Sequence, residues 1–282
     1  SLVAVSEEHC VATAQALSIL TSYYMCILAI QYKSVPEAPI LVAANRDEFY
    51  ERPSTTPSIQ AGKPRILGGV DQQSGGTWLG VNQHGLFVAA CNRRKLIPPV
   101  VPRSRGILCR ELLRSRSAAE AISVAMEELS SNRYEGVNYV IADGEAGWVI
   151  HGTNEPEVVA LTEGLNVISN RNLNDPRDER CQLAKRLLTL QKLDSPVKFL
   201  AVASKVFARS PSSPMRPSMV IRNKDRGTVS STLIALGLKP RDAIYQFTSG
   251  APDENSFEDY SPMLRDILSR GLREAKLQAA TV

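Results

Sequence analysis

From residue 26 onward, apolar residues come in short runs parted by Gly, Pro, Asn and Asp, a pattern that reads as strands and turns. Strands are predicted at 26–32 and 39–44. A hairpin is predicted from 77–81 and 86–91 around Asn82-Gln83-His84-Gly85. The period then lengthens. Residues 104–114 and 117–129 read as helices, the second opened by a Ser117-x-x-Glu120 capping box. Strands return at 138–142, 148–151, 158–162 and 165–169, followed by helices near 178–190 and 197–208. After a Ser- and Pro-rich loop at 210–218 come strands at 227–236 and 243–248, then a helix from about 262 to 276. Strands in batches, interrupted by helix pairs, predict an α+β layered sandwich rather than alternating βαβ units. No repeat at a fixed period is present.

Residues 1–25 carry less organisation. Their apolar stretch, 11–20, is short, and no Lys or Arg precedes Lys33, so the basic region of a secretory signal is missing. Met25 is the first Met and stands directly before Cys26. The expectation is a single domain over 26–282. Residues 1–25 are then either translated from upstream of an initiator at Met25 or a propeptide that is removed.

Composition narrows the class. With 43% hydrophobic residues in 282, the chain can bury a substantial core. No apolar run approaches the roughly 18 residues of a membrane span. The net charge of +4 is mild and spread along the chain, which argues against nucleic acid as a partner. One local cluster, Arg93-Arg94-Lys95 with Arg103 and Arg105, reads first as a solvated face and second as an attractor for anionic substrates. The cysteines Cys10, Cys26, Cys91, Cys109 and Cys181 form no C-x-x-C pair. Their odd number speaks for a reducing, cytoplasmic setting. Histidine occurs only at His9, His84 and His151, without metal-ligand spacing, so neither a metal nor a cofactor is expected. The pairs Gly68-Gly69 and Gly75-Gly76 lack nucleotide-loop spacing and read as turns.

Two features could carry chemistry. Asn45-Arg46-Asp47-Glu48 ends the second predicted strand, where polar side chains can enter a cleft; taken alone, a turn is the simpler reading. Cys26 taken alone is as well explained as a buried small hydrophobe. If Cys26 is N-terminal, however, nucleophile and base coincide in one residue. An α-amine with a pKa of about 7.7–8.0 is well placed to take a thiol proton near neutrality.

Met25-Cys26, Ala44-Asn45-Arg46-Asp47-Glu48-Phe49 with Arg52-Pro53, and Gly76-Thr77-Trp78-Leu79-Gly80-Val81-Asn82 strongly resemble the NRDE family, named for its Asn-Arg-Asp-Glu motif. The likeness continues through Asn92, Ser169-Asn170 and Gly227-Thr228-x-Ser230-Ser231-Thr232, and so spans most of the chain from Met25. That family is similar to the N-terminal-nucleophile hydrolases of the choloylglycine hydrolase and penicillin acylase type. The resemblance implies a four-layer αββα sandwich and a hydrolase of linear C–N amide bonds. In the implied roles Cys26 is the nucleophile and Arg46 favours its thiolate. Asp47 holds the α-amine, with Glu48 as competitor, and Asn92 and Asn170 stabilise the oxyanion. Asn45, Glu48, Trp78 and Asn82 are the expected substrate contacts. The family's association with haem and lipid handling implies an alternative, a non-catalytic carrier of haem, lipid or acyl-CoA. With no C-x-x-C-H motif, such haem would be non-covalent. One departure stands out: Val229 occupies a position where relatives often carry Arg, leaving Arg222 or Arg226 to substitute.

Overall fold

The computed structural model describes residues 26–210 and 216–280; the stretch 11–20, the rest of 1–25 and part of the 210–218 loop lie outside the described residues. Strands β1 (Ile27–Tyr32), β2 (Ile40–Phe49), β10 (Gly164–Ile168), β11 (Arg226–Leu236), β12 (Ile244–Ser249) and β13 (Glu258–Asp259) form one antiparallel sheet, ordered β10-β1-β2-β11-β12-β13. The second sheet is a simple antiparallel meander. It comprises β3 (Ser58–Gln60), β4 (Ile66–Gly68), β5 (Leu79–Asn82), β6 (Phe87–Asn92), β7 (Val137–Ala142), β8 (Gly147–Gly152) and β9 (Glu157–Ala160).

The sheets stack face to face, and each outer face is covered by helices. Strands buried on both sides read as continuous apolar runs instead of alternating ones. In β7 every residue is buried: Val140 and Ala142 point between the sheets, and Val137, Tyr139 and Ile141 point to the helices. Helices α1 (Arg105–Leu112) and α2 (Ala118–Ser130) cover the meander, while α3 (Glu179–Leu188) and α4 (Pro196–Phe207) cover the first sheet. The last helix, α5 (Ser261–Ala279), packs on β12 and on β3–β5, bridging the two sheets at one side of the sandwich. This is the αββα architecture of the N-terminal-nucleophile hydrolase type.

Ser117 caps α2 as expected, accepting from the Glu120 N–H, while the Glu120 carboxylate reaches back to the Arg116 N–H at 2.7 Å. Strands β3, β4 and β13 are too short to rise above the Gly, Pro and polar residues around them. The larger difference concerns β2, which does not end at residue 44 but runs through the Asn-Arg-Asp-Glu motif to Phe49. Four polar residues remain in a buried strand because each finds a partner. Asn45 donates to the carbonyls of Phe207 and Met219, both at 2.9 Å. Asp47 accepts from Arg180 at 2.7 Å and from the Thr228 hydroxyl at 2.6 Å. Arg180, 1% exposed, also donates to the carbonyls of Ser218 and Met219.

The Asp47–Arg180 pair therefore ties β2, β11 and α3 together. Leaving one buried charge unpaired typically costs about 3–5 kcal/mol. Arg180→Met is expected to lower unfolding stability by about that amount in urea titrations, with Arg180→Met/Asp47→Leu regaining part of the loss. A change below about 1 kcal/mol for the single substitution would contradict this role.

Candidate functional site

Residues in a strand face alternately, and the motif on β2 is divided accordingly. Asn45 and Asp47 point toward the helices, whereas Arg46 and Glu48 point toward the space between the sheets. There a cleft of about 280 Å³ opens, lined among others by Cys26, Arg46, Glu48, Arg52, Asp71, Thr77, Trp78, Asn92 and Arg105. Cys26 immediately precedes β1 and Asn92 ends β6, so the thiol and the amide approach the cleft from opposite sheets.

The Arg46 guanidinium lies 4.2 Å from the centre of the Trp78 ring and donates to Ser54 at 3.3 Å. It is shared between two carboxylates, Glu48 at 3.8 Å and Asp71 at 3.9 Å. Arg52 takes Asp71 more firmly, at 2.7 Å, while the other Asp71 oxygen accepts the N–H groups of Gln73 and Ser74. Behind Trp78, Gly76 packs directly on the backbone of Gly106, where a β-carbon would collide, and the Thr77 N–H donates to the Gly106 carbonyl at 2.9 Å. The Gly-Thr-Trp segment thus fixes the start of α1 against the cleft wall.

The Cys26 sulfur lies 3.9 Å from the Asp47 carbonyl. Burial, and next the Asp47 charge, push its thiol up to about 12, while Arg46 pulls the other way. In this environment the thiol is protonated at neutral pH and needs a base to react. Cys26 also has φ of 50°, in the left-handed region. Such a conformation costs a residue with a β-carbon roughly 1–2 kcal/mol.

Asn170 follows β10 and donates to the Asn92 carbonyl at 2.7 Å, so the two amides are neighbours. Its loop is held by Asn138, which donates to the carbonyls of Ser169 and Arg171, and by His151. His151 Nε2 accepts the Leu173 N–H, which leaves Nδ1 to donate to Asn138 Oδ1 at 2.8 Å. Burial first, then Arg93, lowers this imidazole to about 4.

The expected site residues therefore fall into two sets. Cys26, Arg46, Glu48, Trp78 and Asn92 meet in the cleft, and Asn170 stands behind Asn92. Asn45 and Asn82 do not line it. Asn82 is fully buried and binds the carbonyls of Leu113 and Ser115 and the N–H groups of His84 and Leu86, holding the hairpin turn. Asp47 turns its carboxylate to Arg180, leaving Glu48 as the motif's acid on the cleft side. Val229 sits at a bulge in β11. Neither proposed substitute enters the cleft: Arg222 pairs with Asp253 and Glu254, and Arg226 stacks on Phe49. Sequence reasoning missed Arg180, Arg52 and Asp71. An Arg in the first turn of an amphipathic helix reads as solvent-facing, and Asp71 reads as a plain turn. Among the described residues, four cysteines are free and no group of His, Cys, Asp and Glu could hold a metal. No helix among them is long and apolar enough to cross a membrane.

The fold likeness extends to solved structures. A variant of conjugated bile acid hydrolase from Clostridium perfringens superposes with a TM-score of 0.50 at 14% identity, over 83% of this chain and 96% of that one. The N-acylethanolamine-hydrolyzing acid amidase ortholog of Caenorhabditis elegans matches 74% of this chain and 92% of its own at 15% identity, with a TM-score of 0.49. The fold is thus a sandwich of the N-terminal-nucleophile hydrolase type. Residues 25–236 match the family model described as Transport and Golgi organisation 2, and the chain belongs to that family. It is 32% identical over 177 residues to the Transport and Golgi organization 2 homolog of Mus musculus and 31% identical over 171 residues to that of Homo sapiens. Each match takes in 56% of this chain and spans only 61% of the relative's length.

The His151 network makes stability depend on pH. The folded imidazole takes its proton at about 4, against 6.5 for an unperturbed group. Between those values the unfolded chain binds more protons, so stability rises with pH through this window and is lost as pH falls through it. Urea midpoints measured from pH 7 down to 4 are expected to fall, and His151→Gln to flatten the slope. An equal slope in both proteins would remove His151 from this role.

Proposed function

We propose that the chain is a cysteine amidohydrolase acting on a linear C–N amide bond, with Cys26 as N-terminal nucleophile. The observation that carries this reading is the meeting of Cys26, Arg46 and Asn92, from two sheets, in a single cleft. With Cys26 at the chain terminus, its α-amine takes the thiol proton and the sulfur adds to the amide carbonyl carbon. The oxygen that becomes negative is met by the Asn92 amide, with Asn170 behind it. The C–N bond then breaks, the α-ammonium returns its proton to the leaving amine, and water hydrolyses the thioester to restore the thiol. A terminal residue has no φ torsion, so the left-handed cost at Cys26 disappears in that form. The charged lining, from Arg46, Glu48, Arg52, Asp71 and Arg105, favours a small polar amide over an extended apolar one. Free cysteines fit a reducing, cytoplasmic setting.

A second reading, carriage of haem, lipid or acyl-CoA in the same cleft without turnover, draws on one observation. Val229, where the family resemblance implies an Arg, is uncharged, and neither Arg222 nor Arg226 lines the cleft.

Intact mass and N-terminal sequencing of protein expressed from its native gene start, followed by a screen of chromogenic N-acyl amides, separate the readings. The expected outcome is a chain beginning at Cys26 whose amidase activity vanishes in Cys26→Ala and falls about 10²–10³-fold in kcat in Asn92→Ala. Activity unchanged in Cys26→Ala sinks the hydrolase. Retention of residues before Cys26 ties the amine into a peptide bond and excludes the mechanism for that form. Saturable ligand binding without turnover, surviving Cys26→Ala, favours the carrier.

A further inference from the structure

Between the end of β6 and α1 the chain forms a loop whose tip, residues 96–102, reads Leu-Ile-Pro-Pro-Val-Val-Pro. Four aliphatic side chains project into solvent: Leu96 is 88% exposed, Ile97 74%, Val100 99% and Val101 84%. The loop is nonetheless well anchored. Lys95 donates through Nζ to the Tyr134 carbonyl at 3.0 Å, and the Arg103 N–H to the Arg133 carbonyl at 2.8 Å, so both feet stand on one segment. Ile97 exchanges two hydrogen bonds with the side chain of Asn154. A held loop presenting bare aliphatics is a contact surface, because isolated apolar residues occur on any surface but clusters of this kind mark interaction sites.

The surrounding charge indicates the occupant. From Arg93 to Arg110 there is no acidic residue. Arg94, Arg103 and Arg133 are exposed around the feet, with Arg105 half-buried behind them. Glu128 pairs with Arg103, Glu135 with Arg105, and Glu155 follows Asn154, so the cations outnumber the acids. Three prolines in seven residues leave fewer N–H groups to strip of water on entering an apolar phase. An aliphatic tip above a basic collar matches the boundary between acyl chains and anionic headgroups. A protein partner would more naturally meet a flat or concave face.

We propose that residues 96–102 dock the protein on an anionic lipid bilayer surface, the aliphatic tip entering the acyl boundary and the arginine collar meeting the headgroups. Pro102, Arg103, Ser104 and Arg105 also line the cleft, so docking brings its mouth to the headgroup layer. The proposal does not depend on Cys26 chemistry.

The test is flotation of the full chain with vesicles of phosphatidylcholine alone and of phosphatidylcholine mixed with phosphatidylserine. Binding is expected to the mixed vesicles and to weaken with salt. It should fall at least about tenfold in Val100→Asp/Val101→Asp and in Arg94→Glu/Arg133→Glu. Cys26→Ala is expected to bind as the unsubstituted chain does. Val100→Trp should show a blue-shifted emission on the mixed vesicles, and thermal unfolding checks that each variant folds. Three results would overturn the idea: no flotation of the unsubstituted chain, undiminished flotation of the Asp variant, or an unshifted Val100→Trp emission. Concentration-dependent dimerisation abolished by Val100→Asp/Val101→Asp would instead assign the loop to a second copy of the chain.

Discussion

The Asp47–Arg180 ion pair sets the geometry on which the site rests. Two fully buried charges are costly unless every lone pair and proton finds a partner. Here Asp47 accepts from Arg180 and Thr228, and Arg180 donates from Nε and Nη2 to two backbone carbonyls. Because Asp47 is committed to the helix side, the pleat of β2 commits Arg46 and Glu48 to the other side. A register slip of one residue would exchange the two pairs, turning Arg46 away from the cleft and Asp47 into it. The motif is thus an interleaving of two anchors with two cleft residues.

The same interleaving governs the sulfur. Asp47 opposes ionisation of Cys26 and Arg46 favours it, from consecutive positions on one strand. Burial tips the balance toward the neutral thiol. In the proposed mechanism, proton removal therefore has to come from a group close enough to act within the cleft. Among the described residues the histidines do not serve: His84 lies in the β5–β6 turn, and His151 is held neutral in the network that supports Asn170, its Nδ1 and Nε2 both engaged.

How much of this was legible in the sequence follows from the range of each interaction. Strand and helix positions were readable because burial on one or both faces leaves a local periodicity. The αββα fold was legible because motif order carried it through the resemblance, and so was the meeting of Cys26, Arg46, Trp78 and Asn92 at one cleft. The continuation of β2 through Asn45–Glu48 was not readable. Local propensity penalises four polar residues in a buried strand, and the partners of Asn45 and Asp47 lie more than 130 positions away in the chain. Arg180 was hidden for the same reason. The aliphatic loop at 96–102 was equally hidden, since sequence alone does not tell an apolar run that is buried from one held out in water.

Val229 bears on how such a site could still work. A bulge inserts an extra residue and re-aims side chains, and this one carries the uncharged Val229 where the family resemblance implies an arginine. Without that charge, Arg46 is the cation nearest the sulfur along the motif. Its charge is divided, since it stacks on Trp78 and lies at nearly equal distances from Glu48 and Asp71. A shared cation polarises a thiol less than a dedicated one. Stabilising a standing thiolate is therefore a poor strategy in this cleft, and transferring the proton during attack is the better one. The α-amine of an N-terminal Cys26 meets that requirement, because it is covalently held within reach of the sulfur and has a pKa of about 7.7–8.0. The weaker the electrostatic help from the cleft walls, the more completely reactivity depends on that amine being free.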